Sequence, residues 1–77
     1  GQAEVLELVA SEGSRIVDTP LSRLNLPRGA ILATIVRNDD VIVPRGADRI
    51  LPGDTVVVLT TVATRPAIER LFKKRAI

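Results

Sequence analysis

Proline occupies five positions in this 77-residue chain, at 20, 27, 44, 52 and 66, and together they decide where regular structure can begin and end. The ring locks φ and removes a backbone donor, so proline stops a helix or a central strand but suits a first helical turn or a tight turn. Asp18-Thr19-Pro20 therefore reads as a helix start, with Asp18 or Thr19 as the cap. That helix is short: Leu21 and Leu24 share a face, and Pro27 forbids continuation. Pro44 ends a strand, Pro52 sits second in the turn Leu51-Pro52-Gly53-Asp54, and Pro66 opens a closing helix.

Between these stops the apolar residues supply the strands. Val5, Leu6, Leu8 and Val9 open the first, with Glu4 and Glu7 expected on its wetter face. Ser11-Glu12-Gly13-Ser14 has loop chemistry, and Ile16-Val17 resumes briefly. Ala30 to Arg37, apolar on both faces apart from Thr34, is expected to be the most buried strand. Asn38-Asp39 is a hairpin signal, because both residues tolerate positive φ, and Val41 to Val43 returns as its second strand. Arg45 to Asp48 is an irregular excursion, and Thr55 to Thr61 is the last strand. Ile68, Leu71 and Phe72 then form one apolar stripe on the closing helix. The order predicts an α+β fold: a small, mostly antiparallel sheet (β-α-β-β-x-β-α) curled around an aliphatic core and capped by the C-terminal helix.

A single domain of this length buries roughly 60% of its unfolded surface, a core worth only about 3–5 kcal/mol. The chain has no cysteine and no histidine, which removes disulfides and ordinary zinc sites as staples. Self-association is the remaining staple, and a homodimer, or a piece cut from a longer chain with Gly1 left by cloning, is expected. Apolar residues make up 45% of the chain, with Phe72 the one aromatic. No apolar run approaches the roughly 18 residues of a membrane span, and Glu4 and Glu7 do not suit a signal peptide, so a cytoplasmic location is expected. The net charge of +2 is unevenly spread. Arg65, Arg70, Lys73, Lys74 and Arg75 crowd the end of the chain against Glu69 alone, leaving the body slightly acidic. That argues against a nucleic-acid face over the body. Cations at a helix C-terminus complement its dipole, which is the plain account of the tail.

The chemical inventory points away from catalysis. With no His, Cys or Tyr, the acid-base candidates are Asp39, Asp40, Asp48 and Asp54, and turn geometry explains Asp39, Asp40 and Asp54. Ser11, Ser14 and Ser22 have no base in the sequence to activate them. Neither a P-loop nor a G-x-G-x-x-G fingerprint is present. A short tetrad does occur twice, as Leu26-Pro27-Arg28-Gly29 and Val43-Pro44-Arg45-Gly46. Each sets an arginine, a side chain suited to phosphate or carboxylate, between a locked residue and a flexible one. The tetrads make Arg28 and Arg45 candidate anion contacts, against the plainer reading of solvated turns.

The order of these motifs resembles the domain family called RCK-C or TrkA-C. The residues carrying the resemblance are Glu12-Gly13-Ser14, Pro20-Leu21-x-x-Leu24, Leu26-Pro27-x-Gly29-Ala30, Ile35-Val36-Arg37, Val41 to Gly46, Leu51-Pro52-Gly53-Asp54-x-Val56-Val57-Val58 and Ile68 to Phe72. It covers residues 3–72 as a regulatory domain, leaving 73–77 as a basic tail. The resemblance implies homodimers that follow a Rossmann-type nucleotide-binding domain in a cytoplasmic subunit at the inner face of the cell membrane. That subunit would control a membrane potassium or other cation transporter. It also implies a ligand pocket at or near the dimer interface; in several relatives the ligand is cyclic di-AMP, a small anionic effector. Carried over residue by residue, the pocket positions are Leu26, Pro27, Ile42 and Pro44. Pro27 stands where ligand-binding relatives tend to carry arginine, and their frequent histidine has no counterpart here. No cofactor, metal or nucleic acid is expected. The alternatives are a purely structural assembly domain, or the regulatory tail of another cation transporter or antiporter.

Overall fold

The computed structural model describes residues 2–75; Gly1 and the last two residues of the expected tail, 76 and 77, lie outside the described residues. Regular structure forms between the prolines: β1 (Ala3–Val9), β2 (Ala30–Arg37), β3 (Asp40–Ile42), β4 (Thr55–Thr61) and α1 (Arg65–Phe72). The fold is α+β, an open four-stranded antiparallel sheet in the order β1-β4-β2-β3 with one C-terminal helix. Where a short α-helix was expected after Pro20, the chain makes a single 3-10 turn, Leu21–Arg23. Neither Asp18 nor Thr19 caps that turn: Pro20 holds the cap position and no side chain bonds there. Three residues are too few for an α-helix with Pro27 so close, and the tighter i→i+3 bond is what remains.

Period-two alternation makes the sheet two-sided. Val56, Val58 and Thr60 of β4 point inward and are fully buried, and they pair with Leu8, Leu6 and Glu4 of β1. Ile68 and Phe72 of α1 close this face together with Ile16, Val17 and Ile50 from the loops. Glu4 and Glu7, expected on one wet face, lie three apart in a strand and so on opposite faces. Glu4 is inward, held by Arg65 at 3.0 Å, and Glu7 is outward.

The apparent two-sidedness of β2 has a local cause. Its register against β4 passes from Leu32 opposite Val58 to Thr34 opposite Val57, so Ala33 is an extra, bulged residue. The bulge restores phase, letting Ala30, Leu32 and Ile35 all face inward despite their uneven spacing. The other face of β2 is open rather than buried, with Ile31 63% exposed. The most enclosed strand is β4, which lies between β1 and β2. On the open face Ile31 is joined by Val5 and Val9 of β1, Leu59 of β4 and Val41 of β3, each exposed.

The turns form as their residues dictate. Asn38 and Asp39 both take positive φ, 49° and 69°, closing the β2–β3 hairpin. Gly53 takes φ +90° in the turn closed by the Asp54 N–H donating to Leu51 O at 3.0 Å. That turn buries Asp54, whose side chain is 3% exposed. Arg37 at the end of β2 grips it as a fork, Nε to Oδ1 at 2.9 Å and a terminal nitrogen to Oδ2 at 2.7 Å. The Leu51 N–H adds a third bond to Oδ2 at 2.9 Å. Burial pushes the Asp54 carboxyl up, but the Arg37 and Leu51 bonds and the Arg37 charge outweigh it, so the group sits below the ordinary aspartate range.

Loss of one partner in such a pair leaves an uncompensated buried charge, a cost of about 3–5 kcal/mol when both are enclosed. Arg37 keeps 31% of its side chain in water, so Arg37→Ala should cost less, about 2–4 kcal/mol by urea denaturation, still most of what so small a core supplies. Because the folded-state value of Asp54 is depressed, its contribution is complete above the unfolded value of about 4 and is lost as pH falls through the native one. Asp54→Asn should therefore lower stability at neutral pH and flatten its decline in acid; an acid limb identical to that of the parent protein would contradict this role.

Candidate functional site

Two clefts flank the irregular stretch that follows the 3-10 turn. The first is built by zipping residues 17–22 onto residues 46–50. Val17 and Ile50 form a bridge, the Asp18 N–H donates to Ile50 O at 3.0 Å, and the Leu21 N–H donates to Asp48 O at 2.9 Å. The Ser22 N–H donates to Gly46 O at 3.0 Å, and Arg49 donates a side-chain N–H to Asp18 O at 2.9 Å. These bonds set Leu21 and Ser22 beside Pro44-Arg45-Gly46, and Leu26 with Ala30–Leu32 completes a shallow cleft of about 330 Å³.

The excursion at Arg45–Asp48 is a closed local turn. The Arg45 N–H donates to Asp48 Oδ2 at 2.8 Å, while the Asp48 N–H donates to Arg45 O at 3.0 Å. Asx chemistry of this kind fixes the backbone and leaves the residue's own side chain free to point elsewhere. The Arg45 guanidinium is exposed and has no protein acceptor among the described residues. It lies at the rim of a cleft whose floor is Leu21, Leu26, Leu32 and Pro44. An apolar floor with one free cation at the rim suits a compact anion that carries a hydrophobic part.

The structure brings together three of the six residues expected to bind a ligand: Leu26, Pro44 and Arg45. Pro27 turns the other way and lines the second cleft. Arg28 is exposed and lines neither; its carbonyl accepts a bond from Thr64 Oγ1 at 2.9 Å at the start of α1. Ile42 pairs with Ile35 on the inner side of the sheet and packs on the core, so it lies outside the cleft. The two Pro-Arg-Gly tetrads are thus a repeat in sequence but not in space. Gly29 takes φ +98°, and a Cβ there would stand 2.8 Å from Thr64 Oγ1. Gly46 has ordinary φ and instead makes room for Ser22, 3.2 Å from where a Cβ would lie. Sequence reasoning missed Leu21, Ser22, Ala30, Ile31, Leu32 and Gly46 as lining residues. Ile31 carried a signal, as the surplus apolar residue of a strand apolar on both faces.

The second cleft, of about 650 Å³, lies between α1, the loop after β1 and the segment before β2, and is lined by Arg15, Asn25, Pro27, Arg70, Leu71 and the residues after the helix. No helix among the described residues is long and apolar enough to cross a membrane.

The described residues thus form an open antiparallel sheet with one docked helix. The chain belongs to the TrkA-C domain family, whose model matches residues 5–73. It is 43% identical over 72 residues to Trk system potassium uptake protein TrkA homolog 2 of Methanosarcina mazei, covering 94% of this chain and 16% of that protein. It is 38% identical over 80 residues to Trk system potassium uptake protein TrkA of Haemophilus influenzae, covering 99% of this chain and 18% of that protein. A K(+)/H(+) antiporter, NhaP2 of Shewanella baltica, is 34% identical over 71 residues, covering 92% of this chain and 12% of the antiporter. The chain thus spans less than a fifth of the length of these relatives. In fold it is similar to a solved structure described as "Structure of RCK domain with cda", with TM-score 0.69 at 18% identity, covering 95% of this chain and all of that one.

The Arg45–Asp48 turn predicts a separation of roles. Asp48→Ala removes the acceptor of the Arg45 N–H and should lower stability by about 1 kcal/mol. Arg45→Ala removes only an unpaired side chain and should stay within about 0.5 kcal/mol of the parent in thermal melts.

Proposed function

We propose that this domain is the dimerising, effector-sensing part of a cytoplasmic subunit that controls potassium or other cation transport. In this reading a small anionic molecule such as cyclic di-AMP binds the cleft between Leu26, Pro44 and Arg45. The observation that carries it is the continuity between that cleft and the open sheet face, because Ile31 belongs to both. A ligand lying there would touch the surface through which two copies meet.

The open face supports the dimer. Val5, Val9, Ile31, Val41 and Leu59 leave between 41% and 69% of their surface in water on one side of the sheet. Three strands of about 23–26 Å and the short β3 of about 10 Å, spaced about 4.8 Å apart, form a panel of roughly 400 Å², as large as the main apolar patch of a typical monomer. A second copy of the same panel is self-complementary under twofold symmetry. A Rossmann-type domain of the parent chain and a membrane transporter subunit would then receive the signal. Resemblance to a K(+)/H(+) antiporter favours, as a second reading, the same module serving as a transporter's own regulatory tail.

The dimer and the ligand separate experimentally. Val5→Asp with Val41→Asp should turn the dimer into a folded monomer in analytical ultracentrifugation, and a monomeric parent protein would refute the interface. Cyclic di-AMP at about a hundred times its dissociation constant should stabilise the protein by about 2.7 kcal/mol, and Arg45→Glu should abolish the gain. Absence of any thermal shift would leave an assembly domain without a ligand of its own.

A further inference from the structure

The second cleft collects positive charge that the fold does not use. Arg15 comes from the loop after β1, Arg70 from the last turn of α1, and Lys73, Lys74 and Arg75 from the residues beyond it. No carboxylate lines the cleft. None of these five cations has a carboxylate partner among the described residues, whereas Arg37 and Arg65 both do. Glu69, the acid nearest in sequence, is turned toward Arg65 at 3.4 Å.

Service to the helix dipole does not account for the cluster. The terminal carbonyls of α1 are already satisfied by backbone: Leu71 O accepts from the Ile16 N–H and Phe72 O from the Ser11 N–H, both at 3.1 Å. Nor are the last cations a loose tail. Lys73 is extended at φ −91°, ψ 149°, Lys74 bridges to Ser14, and the Arg75 N–H donates to Gly13 O at 3.3 Å. Gly13 lets the Lys74 stem lie against the loop, 3.4 Å from where a Cβ would stand. The fold therefore holds like charges together around a hollow, an arrangement that costs free energy until an anion fills it.

We infer that this second cleft is a binding site for a small phosphate-bearing molecule, distinct from the Leu26–Pro44–Arg45 cleft. Its volume, about 650 Å³, matches small-molecule sites, and it is concave, whereas a nucleic-acid duplex presents a convex surface. Arg15, Arg70 and Arg75 offer guanidinium forks for phosphate oxygens, and the two lysines add point charges. Pro27, Ala67 and Leu71 supply an apolar wall for the rest of the molecule. Phosphate could be presented free or on a lipid headgroup, and both contacts would use the same cations.

The test titrates this chain with pyrophosphate and with ATP by calorimetry, and with phosphatidylglycerol or phosphatidylcholine vesicles by flotation. Expected is saturable binding of pyrophosphate or ATP that weakens with salt. It should also weaken at least about tenfold, or about 1.4 kcal/mol, in Arg70→Glu with Lys74→Glu, while Arg45→Glu leaves it unchanged. Flotation with phosphatidylglycerol alone, lost in the same double variant, supports the site with a lipid as its source. Because Arg70 and Lys74 are exposed, circular dichroism should show both variants folded; Arg70→Gln with Lys73→Gln is the milder second pair. No binding by any probe, binding indifferent to both pairs, loss on Arg45→Glu, or preference for duplex DNA over pyrophosphate would overturn the inference. Failure here leaves the cyclic di-AMP test at the first cleft untouched, since the variants and the probes differ.

Discussion

The fold is drawn together at the carboxylate of Asp54. Its oxygens accept the Arg37 fork and the Leu51 N–H, while its main-chain carbonyl takes the Ala10 N–H at 2.9 Å. The Gly53 N–H returns a bond to Ala10 O at 2.8 Å. One side chain and its turn thus join the ends of β1 and β2 to the start of β4. Arg37 adds a bond to Arg49 O at 3.0 Å, extending the link to the segment that supports the first cleft. A domain without cysteine has few other ways to fix three strand ends at once. A lysine could not replace Arg37, because a single ammonium cannot span both carboxylate oxygens in the plane of the fork.

From that anchor the sheet acquires two unlike faces. The inner one is filled by aliphatic side chains and sealed by α1, whose first turn is tied through Arg65 to Glu4 and whose last carbonyls are capped by the loop after β1. The outer face has no cover within the described chain. The stretch from Leu24 to Pro27 separates the two clefts: Leu26 faces the smaller, and its neighbours Asn25 and Pro27 the larger and more basic. Alternate residues there line opposite clefts, so one short segment is a wall of both. A shift of that segment on occupation of one cleft would alter the other, a physical route by which a regulatory domain of this family could combine two signals.

How legible this was in the sequence depended on the range of the interaction concerned. Asn38-Asp39, Pro52-Gly53 and Pro66 set backbone angles through their own covalent structure, and their turns and helix start formed where those residues stand. The strands followed from apolar runs, except that β2 looked buried on both sides. A bulge at Ala33 breaks period two there, and a bulge is decided by pairing with β4. The site was half legible. Leu26, Pro44 and Arg45 converge, whereas Arg28 and Pro27, which share the same tetrad pattern, are sent elsewhere by a positive-φ glycine docking on Thr64. Asp54 was rightly read as a turn residue, yet its partner Arg37, seventeen positions away, left no mark in the sequence.

The sequence by itself determined the strands, their order, the closing helix and the family, since these follow from local backbone preference, side-chain chemistry and motif spacing. Only the tertiary structure decided which residues meet. β4 enters between β1 and β2, making neighbours of segments far apart in the chain and leaving one sheet face bare. The closing helix, docked against the loop after β1, gathers five cations that in sequence resemble an ordinary basic tail. Such meetings arise from long-range packing, where each contact depends on all the others and no single stretch of residues records it.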